Sequence, residues 1–241
     1  MDSRKAASGR VIRWANAVRR LAKWKRIALS RLSLQYPFLV RFLPTCRPIQ
    51  IHRHPFVAET EHRDLLVCLP GIGDHARDFE DWGFVALAWT HRWAVDVWLV
   101  DAHYGYYADR TILDQLHSDV FLPASESGYR SIWLVGISLG GFGALLYASR
   151  YENDLSGVVA MAPFLGAPSI IQEIAFAGGL ARWTSPLTTP DEIHLLWKWL
   201  QTRMTRAHPT PDLFLAYGED DLFAEGHRLL ASAVPDNHVL T

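Results

Sequence analysis

Five short apolar runs, Leu65–Leu69, Val95–Val100, Ile132–Ile137, Val158–Met161 and Leu213–Tyr217, recur along the chain. Each is only four to six residues long, too short for a buried helix, and turn residues bound them. Runs of this kind read as strands covered on both faces, the signature of a parallel sheet. Between them, Phe79–Thr90, Ile112–Leu122 and Gly141–Tyr151 carry apolar residues at three- and four-residue steps, as helices do. Strand and helix in alternation imply an α/β fold, a doubly wound, mostly parallel sheet with helices on both faces. In such sheets ligands sit outside the carboxyl ends of the strands, so chemistry is to be sought just after these runs.

Composition removes other classes. A chain of 241 residues with 49% hydrophobic and 20% charged residues closes one core and is not disordered. Cys46 and Cys68 are too few for a disulfide scaffold or a multi-cysteine zinc site, and metal-ligand spacing of histidines on a helix is absent. No apolar run reaches the roughly 18 residues of a membrane span. A G-x-G-x-x-G turn with a distal acid is also absent, which disfavours a redox role. No cofactor and no metal are implied.

Charge divides the chain. Residues 1–58 hold 13 Lys and Arg against the single acid Asp2, whereas the remainder is acidic. We read 1–48 as a basic arm and 49–241 as the body, with Pro37, Pro44 and Pro48 marking the junction. The acidic body argues against nucleic acid as a partner. Within the arm, Val11, Trp14, Val18, Leu21, Trp24 and Ala28 form a helical stripe over Val11–Leu34. Three readings stand: a helix packing Trp14, Leu21 and Ile27 on the body, a peripheral membrane helix, or a transit-type leader. Arg and Lys interrupt every candidate signal core, so the expected location is cytoplasmic or membrane-peripheral.

After the third run comes Gly136-Ile137-Ser138-Leu139-Gly140-Gly141-Phe142-Gly143. A serine between glycines, leaving a strand and entering a helix, is a nucleophile elbow: side chains at the glycines would strike backbone, and the sharp turn lifts the hydroxyl clear of the sheet. The helix that follows aims its positive N-terminus at a developing anion. After the first run, Leu69-Pro70-Gly71-Ile72-Gly73-Asp74-His75 forms a glycine-rich turn. With the N–H of Leu139, the N–H of Ile72 is the expected second donor of an oxyanion hole.

The order LPGIGD, GISLGGFG, YGEDD resembles the α/β-hydrolase fold family, and its esterase-like members in particular, over roughly residues 60–241. The resemblance implies a Ser–His–Asp triad whose acid is Asp221, with Asp220 the adjacent alternative. It places the base after the final strand. His238-Val239-Leu240-Thr241 reads as the start of that strand, so the base is expected beyond Thr241 and the sequence reads as a fragment; a natural truncation is the alternative. His238 is the only positional substitute, at the wrong end of the strand. His75, His103 and Tyr104 follow strands at the active edge and are expected to line the pocket. His52, His54 and His62 are expected before the sheet, and His227 as an exposed residue of the last helix.

The resemblance also implies a cap, here about residues 165–210, holding Trp183, Trp197 and Trp199. The expected activity is cleavage of a carboxylic ester or thioester in a small-molecule substrate through an acyl-enzyme, with an apolar acyl or aryl group favoured by the aromatic content. An acyltransferase using the same serine, and a non-catalytic binding protein of the same fold, are the rivals.

Overall fold

The computed structural model describes residues 24–33, 35–56, 63–90, 94–185 and 191–241. Their centre is a seven-stranded sheet of β1 (Ile51–His54), β2 (Asp64–Leu69), β3 (Val95–Val100), β4 (Ser131–Ile137), β5 (Gly157–Met161), β6 (Asp212–Ala216) and β7 (Val239–Leu240). The spatial order is β1-β3-β2-β4-β5-β6-β7, with β1 antiparallel to β3 and the other pairs parallel. Each of the five apolar runs is a strand, displaced by no more than one residue at either end. β1 departs from expectation. His52 and His54 lie within the sheet rather than before it, on an edge strand too short and too polar to show a pattern. His62 lies outside the described residues.

The helices are α1 (residues 24–33), α2 (Asp78–Asp81), α3 (Phe84–Thr90), α4 (Tyr104–Ala108), α5 (Ile112–Leu116), α6 (Leu122–Glu126), α7 (Leu139–Arg150), α8 (Pro168–Phe176), α9 (Glu192–Arg203) and α10 (Ala224–Ala231). The single helix expected over Phe79–Thr90 is two, because Gly83, at φ +83°, turns the chain between α2 and α3. The helix expected over Ile112–Leu122 runs on to Glu126 through a π-helical turn at His117–Phe121. Pro123 has no N–H to continue the regular ladder there.

Alternation along each strand sends side chains to two separate cores. Leu65, Val67 and Leu69 of β2 join Val158, Leu145 and Leu213 in the larger one. Cys68 joins Phe79, Val97, Leu99 and Val135 on the opposite face, beneath α2 and α3. That second face is thinly covered over β4–β6, where Trp133, Val159 and Phe214 remain half-buried.

α7 is buried along residues 139–148 because it is covered by the sheet on one side and by α9 on the other. α9 contributes Leu196, Trp197 and Leu200, each fully buried. The Trp197 indole N–H donates to the Leu165 carbonyl at 3.0 Å. Trp183 donates to Glu173 at 2.6 Å, within the same segment, and Trp199 to Glu152 at 3.2 Å, which ties the segment to the body. Trp197→Ala is expected to cost about 3–5 kcal/mol through the cavity and the stranded carbonyl, read as a shift in urea midpoint. Trp197→Phe keeps most of the ring volume and is expected to cost about half as much.

Candidate active site

The strand order reverses between β2 and β4, so the crevice of the sheet opens at their carboxyl ends. Both glycine-rich turns lie there. At the end of β4, Ser138 adopts φ +52° and ψ −110°, and α7 begins at the next residue. A side chain at positive φ is strained by about 1–2 kcal/mol, and such strain persists only where the surroundings enforce it. Here the enforcement is backbone on backbone. A Cβ on Gly136 would overlap the Gly140 carbonyl, and one on Gly140 would overlap the Leu69 carbonyl at the end of β2. The strand, the turn and the helix therefore approach more closely than any side chain permits. Ser138 is half-buried at the mouth of the crevice, and its N–H is held by the Met161 carbonyl at 2.9 Å.

The Gly71–Asp74 turn faces this serine. Asp74 N–H donates to Gly71 O at 3.1 Å, and Gly73 takes the positive φ, +81°, that a type II turn demands at its third position. A Cβ built on Gly71 would lie 3.7 Å from Ser138 Cβ, an ordinary contact. The structure thus brings Ile72 and Leu139 to the same crevice as Ser138, beside the N-terminus of a 12-residue helix.

A row of aromatic rings starts at Phe142, whose N–H donates to the Ser138 carbonyl at 3.0 Å. Tyr107 lies 6.3 Å from Phe142, Phe142 meets Phe164 edge-on at 5.9 Å, and Phe164 meets Phe223 edge-on at 6.0 Å. Phe164 N–H donates to the Ser138 carbonyl at 2.9 Å, which fixes this wall to the elbow. Phe142, Phe164 and Phe223 escape a reading of the sequence because they come from three separate segments, and their only local signal is aromatic identity.

Asp221 lies past the end of β6. Its carboxylate accepts from Phe223 N–H at 2.8 Å and stands 3.9 Å from Nδ1 of His227. Glu219 and Asp220 are exposed. His227 corrects an expectation: α10 turns it inward, and it is fully buried. Its Nε2 donates to the Pro163 carbonyl at 2.9 Å, and burial pushes its pKa down. The Pro163–Phe164 peptide is trans, so its C=O and N–H point in opposite directions. The C=O faces His227 and the N–H faces Ser138. One peptide unit therefore bonds the His227 ring on one side and the Ser138 main chain on the other, and His227 braces the loop on which the elbow rests.

His238 stacks on Phe214, with centroids 3.9 Å apart, and its Nδ1 bonds the Leu213 carbonyl at 3.2 Å. Leu213 pairs with Val158, and Val158 with Leu134, four residues before Ser138. At roughly 3.3 Å per strand residue, His238 sits more than 10 Å down the sheet from the carboxyl edge. This is the end of the strand that the sequence assigned it. Among the described residues no histidine hydrogen-bonds Ser138 Oγ.

Two of the remaining expected pocket residues, His75 and His103, lie under α1 rather than beside Ser138. His103 is buried and accepts from Gly105 N–H at 3.1 Å, capping α4. Burial, helped by the charge of Arg26, pushes its pKa down to about 4, so the neutral ring keeps that acceptor at pH 7. It borders a cleft of about 330 Å³ with Arg26, Leu43, Asp101 and Tyr106. Tyr104 packs half-buried against the larger core. His75 Nδ1 meets the Arg26 guanidinium, which also donates to the Asp74 carbonyl at 2.9 Å.

Arg26 is a contact that the sequence hid. Its two terminal nitrogens clasp Asp101 at 2.9 and 3.1 Å, and Ile27 beside it packs on Gly73 of the crevice turn. Burial opposes ionisation of Asp101, but the Arg26 bonds, His75 and the Ala76 N–H outweigh it and hold the carboxyl below its ordinary 3.8. A lowered folded pKa stabilises the docked helix above the unfolded value and loses that stabilisation as pH falls below it. Amide protection of residues 24–33 is therefore expected to hold at pH 7 and to decline below about pH 4. Arg26→Ala is expected to remove it at pH 7, at a cost of about 2–4 kcal/mol.

A model of the alpha/beta hydrolase family matches residues 66–239. Among solved structures, the S-formylglutathione hydrolase of Staphylococcus aureus superimposes with a TM-score of 0.51 at 14% identity, over 76% of this chain and 73% of that one. A monoacylglycerol lipase of Paleococcus ferrophilus aligns at 0.48 and 17% identity, over 80% and 87%. No curated protein matches in sequence at a significant level.

Proposed function

Because the chain belongs to the alpha/beta hydrolase family, we propose that it is a serine hydrolase acting on carboxylic esters or thioesters through an acyl-enzyme. The observation that carries this reading is Ser138 held at φ +52° at the mouth of the crevice, with the Gly71–Asp74 turn against it. Ser138 Oγ attacks the carbonyl carbon, and the carbonyl oxygen takes the charge. The N–H groups of Leu139 and Ile72 receive that charge, and the N-terminus of α7 adds its dipole. Collapse of the tetrahedral species expels the alcohol or thiol and leaves an acyl group on Ser138, which water then removes. A base must take the serine proton and return it to the leaving group, and Asp221 is the acid that would orient it. The Phe142, Phe164 and Phe223 rings favour an apolar acyl group.

Two observations favour a second reading, a binding protein that keeps the fold. Both histidines near the end of the chain are engaged elsewhere: His238 is held on Phe214, and His227 gives its Nε2 to the Pro163 carbonyl. A fluorophosphonate probe separates the two. Labelling that maps to Ser138 and is accompanied by release of p-nitrophenol from an acyl ester is expected for the hydrolase. An unlabelled Ser138 in the folded chain would remove that reading. Transfer of the acyl group to an added alcohol, in excess over hydrolysis, would identify an acyltransferase.

A further inference from the structure

The part of the arm's apolar stripe that lies within the described residues, Trp24 and Ala28, faces away from the body, and Val11, Trp14, Val18 and Leu21 lie outside the described residues. α1 turns Arg26, Ile27, Ser30 and Ser33 towards the body. Trp24, Ala28 and Leu32, spaced by four, face outward, and Trp24 is 68% exposed and Leu32 45%. Lys25 and Arg31 flank this face, and Tyr36, 46% exposed, follows in the next turn. A helix that packs only for stability hides its Trp; this one exposes Trp24 and turns Arg26 inward. Through Arg26 and Ile27 it is clasped to the carboxyl edge of the sheet.

We propose that the outer face of α1 docks this edge of the protein on an anionic lipid bilayer. Charge identifies the surface: residues 1–58 carry 13 Lys and Arg and one acid, whereas the rest of the chain is acidic and is repelled. The apolar row distinguishes a bilayer from a nucleic acid. A phosphate backbone takes the cations and has no use for Trp24 and Leu32, whereas the boundary between headgroups and acyl chains takes both. The inference is independent of the hydrolase reading, since it concerns a different face of the same edge.

The test is co-sedimentation of the whole chain with vesicles of phosphatidylglycerol and phosphatidylcholine, alongside vesicles of phosphatidylcholine alone, at low and high salt. The expected result is binding to the anionic vesicles that weakens as salt rises. A Trp24→Ser, Leu32→Ser double variant, which alters exposed residues only, is expected to bind at least about tenfold more weakly. Its urea midpoint is expected to match the parent's. Sedimentation unchanged by the double substitution, no sedimentation at low salt, or preferential retention on duplex DNA would each overturn the proposal. So would a self-associated state that the double variant abolishes while vesicle binding persists.

Discussion

Replacing Ser138 with Ala is expected to lower acyl-ester turnover by about 10³- to 10⁶-fold and to abolish fluorophosphonate labelling. The loss is large because the covalent route needs an oxygen at that position, and only the oxyanion donors and substrate binding remain without it. Stability separates two versions of this change. Alanine keeps a Cβ at φ +52°, so Ser138→Ala inherits the backbone strain and is expected to unfold near the parent's midpoint. Glycine is at ease at positive φ, so Ser138→Gly is expected to be inactive and more stable than Ser138→Ala by about 1 kcal/mol. Both are read by paired ester assays and urea titrations. Turnover retained in Ser138→Ala would remove the serine from the chemistry, and a less stable Ser138→Gly would remove the strain from the account.

Gly136→Ala is expected to be strongly destabilising for a change of one methyl group. The added Cβ meets the Gly140 carbonyl and the Gly141 nitrogen, all main-chain atoms, so no side chain can swing aside. Either β4 or the first turn of α7 must move. Both are pinned, β4 by its neighbours β2 and β5, and α7 by the approach of Gly140 to Leu69. A cost of about 3–5 kcal/mol is expected, which lowers Tm by roughly 10 °C for a chain of this size. Gly218 is the control: a Cβ there meets nothing within 4 Å, and Gly218→Ala is expected to change stability by no more than about 0.5 kcal/mol. Equal effects at the two positions would mean that the close approach at the elbow is not what limits it.

Ser138 and Gly136 belong to the part of the molecule that local spacing makes legible. The apolar runs are strands to within a residue because burial on both faces is written into consecutive positions. The elbow and the Gly71–Asp74 turn are legible for a related reason. A close backbone approach tolerates only glycine, so the requirement shows as glycine at set offsets from Ser138. The polar edge strand β1 shows no such pattern.

What the sequence determined by itself was therefore whatever depends on residues a few positions apart: the alternation of strand and helix, the serine between glycines, the basic arm. Tertiary structure alone decided which way each side chain faces across the molecule. The helical stripe of the arm is visible in the spacing, but the outward direction of Trp24 and Ala28 depends on Arg26 reaching Asp74 and Asp101, 48 and 75 residues away. His227 falls three residues from Ala224 and three from Leu230 on the buried face of α10, but its partner, the Pro163 carbonyl 64 residues upstream, shows in no local pattern. Contacts of that span are set by how whole elements pack, and no local spacing encodes them.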